Sequence, residues 1–288
     1  MGFTRSGFMG TLCAAGASGL FAVPPAGAAQ GTYRERVLAK GPVGYWPFDD
    51  APGSRAAADA SGNHRPATFH GGIATESPGP LGAGDGAIVA NGVDGYAEIA
   101  DSAAFSQRTS GAGLTVEVWM RPDALTFTGQ TTEHYVHWLG KGERGAYEWG
   151  FRFYSADSPD RPSRISAYIW NPSVAQGQNE GAGAYFQDVL QAGTWIHVVA
   201  TFDPGDANDP NAGVSIYKDG LFRAGPAKSR GARYASYAIE PVHTAAPVRI
   251  GTRDLGSFFK GGIDEVAIYP RVLRAPEIAD NFAAARST

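Results

Sequence analysis

The sequence predicts an all-β fold, two antiparallel sheets packed as one sandwich with a short C-terminal helix, and three observations carry that expectation. Glycine at 39 and proline at 19 of 288 positions supply turns at a density suited to short strands rather than packed helices. Short segments rich in aromatic and β-branched residues recur between those turns. In Leu114-Thr-Val-Glu-Val-Trp-Met120, Leu114, Val116, Val118 and Met120 alternate with Thr115, Glu117 and Trp119, the period-two pattern of a half-buried strand, and Pro122 ends it.

The chain opens on a different pattern. Met1 to Ser6 holds one positive charge, Gly7 to Val23 is small and apolar without an acidic residue, and Pro24-Pro25 precede the small-x-small triplet Ala26-Gly27-Ala28. Residues 1–28 are therefore expected to be a signal peptide, 29–288 a single sandwich domain, and the product secreted and extracellular. The apolar run falls short of the ~20 strongly apolar residues that span a bilayer, so no membrane span is expected after cleavage. The only cysteine, Cys13, lies in this leader, which leaves the exported part without disulfides. A net charge of −4 without a basic run argues against nucleic acid as a partner.

Along the domain, Tyr45 to Phe48 is an apolar aromatic segment. Ala87 to Ala90 and Gly95 to Ile99 flank the turn-former Asn91-Gly-Val-Asp94 and are expected to pair as a hairpin. Further strands are expected at Tyr135 to Lys141, Tyr147 to Tyr154, Arg164 to Trp170, Trp195 to Phe202 and Val214 to Tyr217, with Asp219-Gly220 turning the last into Leu221-Phe222. Val248 to Ile250 and Gly262 to Tyr269 complete the sheets. Pro276 to Phe282 reads as a closing helix with proline in its first turn, and Tyr33 to Leu38 as a helical turn. Residues 157–162, 173–183, 203–212 and 224–246, rich in Gly, Pro, Asn and Ser, read as loops.

Several segments together resemble the bacterial laminin-G-like domains of the concanavalin A-like lectin/glucanase superfamily. They are Val43-Gly-Tyr-Trp-Pro-Phe-Asp-Asp50, Asp59-Ala-Ser-Gly-Asn63, His70-Gly-Gly72, Val89 to Tyr96, Gly193-Thr-Trp-Ile-His-Val-Val199, Tyr217-Lys-Asp-Gly220, Arg249-Ile-Gly251 and Gly261-Gly-Ile-Asp-Glu-Val266. The resemblance implies a jelly roll of two curved sheets, and in many members a bound calcium ion. The expected ligands are Asp49, Asn91 and Asp264, hard oxygen donors on segments that lie side by side if the first and last strands pair. Asn91 stands where aspartate is common and Gly95 where a second acidic residue is common. The alternative is that these side chains cap turns.

For a ligand, period-two counting puts Glu148, Arg152 and Tyr154 on one face of their strand and Trp149, Phe151 and Phe153 in the core. Tyr168 and Trp170 oppose the core parity of Ile165, Ala167 and Ile169, while His137, Lys141, Tyr185 and Gln187 are expected to join that face. Aromatic rings stack on sugars while Arg, Glu, Gln and His bond hydroxyls or carboxylates, so His137, Glu148, Arg152, Tyr168, Trp170, Tyr185 and Gln187 form a candidate glycan groove. The same mixture also suits a merely solvated sheet face. The Glu-x-Asp-x-x-Glu motif of laminarinase-like relatives is missing, and no catalytic residue is assigned. The expected function is a secreted, non-catalytic, lectin-like module for polysaccharide or a cell-surface glycan, with calcium as the candidate cofactor. The alternatives are a polysaccharide lyase or hydrolase with an unrecognised site, and an adhesion domain that binds protein. His197, within Trp195-Ile-His-Val, reads as structural.

Overall fold

The structure is a computed structural model that describes residues 1–2, 31–107, 113–128, 134–143, 146–170, 181–204, 213–225 and 243–287. Most of the expected leader and the expected loops at 173–180, 205–212 and 226–242 lie outside the described residues. No helix among the described residues is long and apolar enough to cross a membrane.

Thr32 starts helix α1 (Tyr33–Ala39) in a reciprocal capping box with Glu35. The strands that follow are β1 (Gly44–Trp46), β2 (Ala56–Ala57), β3 (Ala67–His70), β4 (Ile73–Glu76), β5 (Ala87–Asn91) and β6 (Tyr96–Ile99). The long central strands are β7 (Leu114–Pro122), β8 (Tyr135–Glu143), β9 (Ala146–Tyr154), β10 (Arg164–Trp170), β11 (Gly181–Gln187) and β12 (Ile196–Asp203). Then come β13 (Gly213–Lys218), β14 (Leu221–Ala224), β15 (Val248–Ile250), β16 (Lys260–Tyr269) and helix α2 (Ala275–Ala285), which has proline in its first turn and Glu277 over its open N-terminal amides.

The first sheet runs β14-β13-β12-β7-β16-β5-β4, with β1 also paired to β16, and the second runs β11-β10-β9-β8-β15-β6-β3-β2. All the pairings are antiparallel, for instance β7 with β12 and β9 with β10. Their inner faces close on one core that takes Val116, Val118, Val198 and Ile268 from the first sheet and Trp138, Trp149, Phe151, Ile165 and Ile250 from the second. Apolar burial of this kind contributes about 25 cal/mol per Å² and dominates the stability of such a sandwich.

A second core lies on the outer face of the first sheet, where Tyr33 and Val37 of α1 and Ile278 and Ala284 of α2 pack with Trp119, Val199 and Tyr269. This overturns the half-buried expectation for β7: Thr115, Glu117 and Trp119 are as buried as the residues they alternate with. The alternation itself holds, but its polar positions meet helices instead of solvent.

The expected hairpin at Asn91 to Asp94 does not form. β5 belongs to the first sheet and β6 to the second, so this segment is a corner where the chain changes sheets. Asn91 Oδ1 accepts the backbone N–H groups of Val93, Asp94 and Gly95 at 2.9, 3.1 and 3.0 Å and so holds the corner. The expected loop at 173–183 is also too long, because Gly181 to Gly183 already belong to β11.

Candidate functional site

Both helices cover the first sheet, so the polar and aromatic residues gather on the outer face of the second. Register sets the pattern there: Arg249 pairs with Gly140, Gly140 with Gly150, Gly150 with Tyr168 and Tyr168 with Gly183, one row across five strands. The glycines let large side chains lie flat. A Cβ on Gly183 would stand 2.7 Å from Tyr168 Cδ1, and one on Gly140 would stand 2.9 Å from Arg253 Cγ.

Arg152 is the centre of the cluster. Its guanidinium lies 4.3 Å from the ring centre of Tyr135, 4.7 Å from that of Tyr168 and 5.6 Å from that of Trp170. Its Nε donates to His137 Nε2 at 3.1 Å, which leaves the imidazole proton on Nδ1. Burial, and then the positive charges of Arg253 and Arg152, hold the His137 pKa well below the usual imidazole range, so the ring is neutral. Trp170 stacks on Tyr168 with centroids 5.4 Å apart, and Ser166 donates to the Tyr168 hydroxyl at 3.0 Å. At the rim the Arg164 guanidinium sits 3.9 Å over the Tyr185 ring and donates to Gln187 Oε1.

Of the expected glycan residues, then, His137, Arg152, Tyr168 and Trp170 come together, with Tyr185 and Gln187 beside them. Glu148 does not join them. It is buried, and its Oε1 accepts from Lys141 Nζ at 2.5 Å and from the N–H and hydroxyl of Thr244 at 2.8 and 2.7 Å. Lys141 pairs with Asp101 as well, at 2.9 Å, so neither charge is offered to a ligand. Sequence reasoning missed Arg253, which lies in the β15–β16 connection; only its place after the conspicuous Arg249-Ile-Gly251 segment marks it. The same outer face carries an open depression of about 460 Å³ toward its β3–β6 side, lined by His64, Arg65, Thr68, His70, Glu98 and Asp101.

The acidic residues form a second candidate site with a different membership from the expected one. Asp85, Asp264 and Glu265 each bring a carboxylate oxygen within 4.8 Å of the others, and all are buried. Adjacent strand residues normally point to opposite faces, but the β16–β7 register shifts between Asp264 and Ala267 and Glu265 has φ of 52°, a bulge that brings both side chains to Asp85. Asp85 accepts from the Leu81 N–H at 2.7 Å, and Tyr45 donates its hydroxyl to Glu265. Among the described residues, neither oxygen of Asp264 has a partner at hydrogen-bond geometry.

Burial, with repulsion among these carboxylates, pushes Asp264 and Glu265 well above the carboxylate range, and burial raises Asp85 to about 6. An all-oxygen, acidic, under-satisfied set fits a hard divalent cation such as calcium. Asp49, the expected ligand, stays near enough to raise the pKa of Asp264, while its Oδ1 accepts the Gly86 N–H at 2.9 Å. Asn91 is separate: it stands opposite Lys260, at the far end of the β5–β16 pairing from Asp264. Its side chain is spent on the corner.

A two-sheet antiparallel sandwich with jelly-roll topology is the class this architecture defines. A family model described as the concanavalin A-like lectin/glucanases superfamily, of laminin-G type, matches residues 91–279, and the chain belongs to that family. No curated protein matches the chain. Among solved structures, domain 4 of AbnA, an extracellular arabinanase from Geobacillus stearothermophilus in complex with arabinotriose, is similar at 18% identity and TM-score 0.56, over 83% of this chain and 97% of that one. The binding domain of botulinum neurotoxin DC in complex with SialylT is similar at 10% identity and TM-score 0.58, over 86% of this chain and 52% of that one. The receptor-binding domain of botulinum neurotoxin type G gives 12% identity and TM-score 0.54, over 84% of this chain and 51% of that one. The chain thus spans about half of the toxin domains, and at these identities the likeness is one of fold.

Proposed function

We propose that this chain is a secreted, non-catalytic carbohydrate-binding module that takes polysaccharide or a cell-surface glycan on the outer face of its second sheet. The observation that carries this reading is the grouping of Tyr135, Tyr168 and Trp170 around one guanidinium on the face that neither helix covers. Trp170 and Tyr185, both half-buried, offer ring surface to sugar C–H groups, and exposed Gln187 and half-buried Arg152 offer polar contacts. The depression at Glu98 lies on the same face, four strand spacings or about 19 Å from Tyr168, which suits an extended chain.

Support for a non-catalytic role comes from how the titratable groups are used. Glu148 is held by Lys141 and Thr244, and neutral His137 accepts from Arg152 instead of standing free as a base. The acidic cluster on the other sheet supports a structural rather than ligand-bridging calcium. The domain-4 and toxin likenesses agree with glycan recognition on this fold.

The test is retention of the purified protein on neutral and acidic polysaccharides while absorbance near 235 nm, the signature of unsaturated uronates, is followed. Retention without new absorbance is expected. Growth of that absorbance would replace the binding module by a lyase, and failure to retain the protein on any polysaccharide would remove the reading.

A further inference from the structure

Charge on the candidate glycan face is unevenly matched. Lys141 pairs with Glu148 and Asp101, and Arg249 pairs with Glu98 and Glu143 at 2.8 and 2.9 Å. Around Trp170 the balance is different. Arg152 has no carboxylate partner among the described residues, and Arg253 has one, Asp254, at 2.9 Å. Two guanidinium groups therefore share a single carboxylate.

Arg253 is 1% exposed, and its Nε and Nη1 have no hydrogen-bond partner among the described residues. Its guanidinium is held 3.8 Å over the Tyr147 ring and 4.7 Å over that of Trp170, so Trp170 touches both arginines. Burial lowers its pKa, opposed by Asp254 and reinforced by repulsion from Arg152. A cation without a counter-charge is costly; Arg253 is closed to direct contact, so an incoming anion on Arg152 offsets the positive charge of the pair across the intervening Trp170. The face also presents Arg152 in a fixed attitude. Its Nε is committed to His137, it also donates to the Tyr154 hydroxyl, and its plane is boxed by rings, so a planar acceptor meets it at the remaining Nη positions.

We infer that the site selects sugars that carry a carboxylate, with Arg152 making the contact and Arg253 supplying the second positive charge beside Trp170. The inference rests on the glycan-binding reading and names its ligand class. A uronic acid and a sialic acid share this chemistry, and both are included in the test.

The experiment measures affinity of the full chain for polygalacturonate and polysialic acid, for the carboxyl-reduced derivative of each, and for dextran sulfate. At least tenfold tighter binding of one carboxylated polymer than of its reduced derivative is expected, and the polymer that binds identifies the source. Arg152→Lys, which keeps the charge but not the fork, is expected to weaken that binding at least tenfold and to narrow the preference for the carboxylated polymer over its reduced derivative, with a cooperative melt showing that the variant is folded. Arg253→Met is expected to act in the same direction. Equal binding of the reduced polymers, or equal binding of dextran sulfate, would overturn the carboxylate selection and leave glycan binding standing. Binding of none of the polymers would overturn the glycan reading, and this inference with it.

Discussion

Glu117→Ala is expected to destabilise the protein by about 3–5 kcal/mol, the cost of breaking a buried charged network from one side. At about 2–4 °C per kcal/mol for a domain of this size, melting falls by about 6–20 °C. The carboxylate is fully buried and accepts from Tyr33 of α1 at 3.0 Å, His197 of β12 at 2.8 Å, Tyr269 of β16 at 2.7 Å and Asn281 of α2 at 2.8 Å. Truncation leaves these groups buried without an acceptor, so both helices lose their polar anchor to the sheet at once. Burial alone would raise the Glu117 pKa, but the hydrogen bond and charge of His197, followed by Tyr269 and Asn281, lower it below the usual range. A depressed carboxyl pKa gives stability that is present above the unfolded value near 4.3 and is lost as pH falls through the folded value, so wild type gains an acid-unfolding limb that the variant lacks. Thermal melts of both proteins from pH 7 down to pH 3 check this. A loss below about 1 kcal/mol would show that the network is dispensable.

Calcium is expected to raise the melting temperature by about 5–10 °C at neutral pH, since a ligand at 100 times its Kd adds about 2.7 kcal/mol. The sign of the pH dependence is opposite to that of Glu117. Burial and mutual repulsion favour the protonated forms of Asp264 and Glu265, and burial puts Asp85 at about 6. Without metal, the cluster's contribution is complete below the unfolded carboxylate range near 4 and is lost as pH rises through about 6 and beyond. Chelated protein should therefore lose stability between pH 5 and pH 8, and calcium should restore it. Asp264→Asn removes a buried carboxyl that repels Glu265 and Asp85 and has no partner at hydrogen-bond geometry among the described residues, so at pH 8 the chelated variant is expected to melt above chelated wild type and not to respond to calcium. A calcium-insensitive wild type would make the cluster a protonated structural feature.

Much of the core was legible because it depends on local alternation. Trp149, Phe151 and Phe153 face inward as their parity requires, as do Ile165, Ala167 and Ile169, and the opposite parity carries Arg152, Tyr168 and Trp170 to one face. What escaped depends on contacts distant in sequence. Strict alternation sends Glu265 away from Asp264 because a bulge is invisible to it, and Asp85 sits in a glycine-rich stretch that reads only as turn. β11 opens Gly-Ala-Gly-Ala, poor in strand formers, and its glycines make sense only once Tyr168 and Trp170 are seen lying across them. β2 and β4 are edge pieces and β3 lies next to an edge, all of two to four residues with no periodicity to read. Glu148 has the right parity but the wrong neighbours, since the Lys141 and Thr244 that bury it come from elsewhere in the chain.

The claim that the outer face of the second sheet binds glycan is tested most directly by Trp170→Ala on the polysaccharide that retains wild type. Trp170 is half-buried and touches Tyr168, Arg152 and Arg253, so the variant is expected to melt a few degrees lower yet remain folded. Its affinity should fall by at least about tenfold, the equivalent of 1.4 kcal/mol of lost ring contact. A folded Trp170→Ala protein that binds as tightly as wild type would place the glycan elsewhere on the molecule and contradict the account.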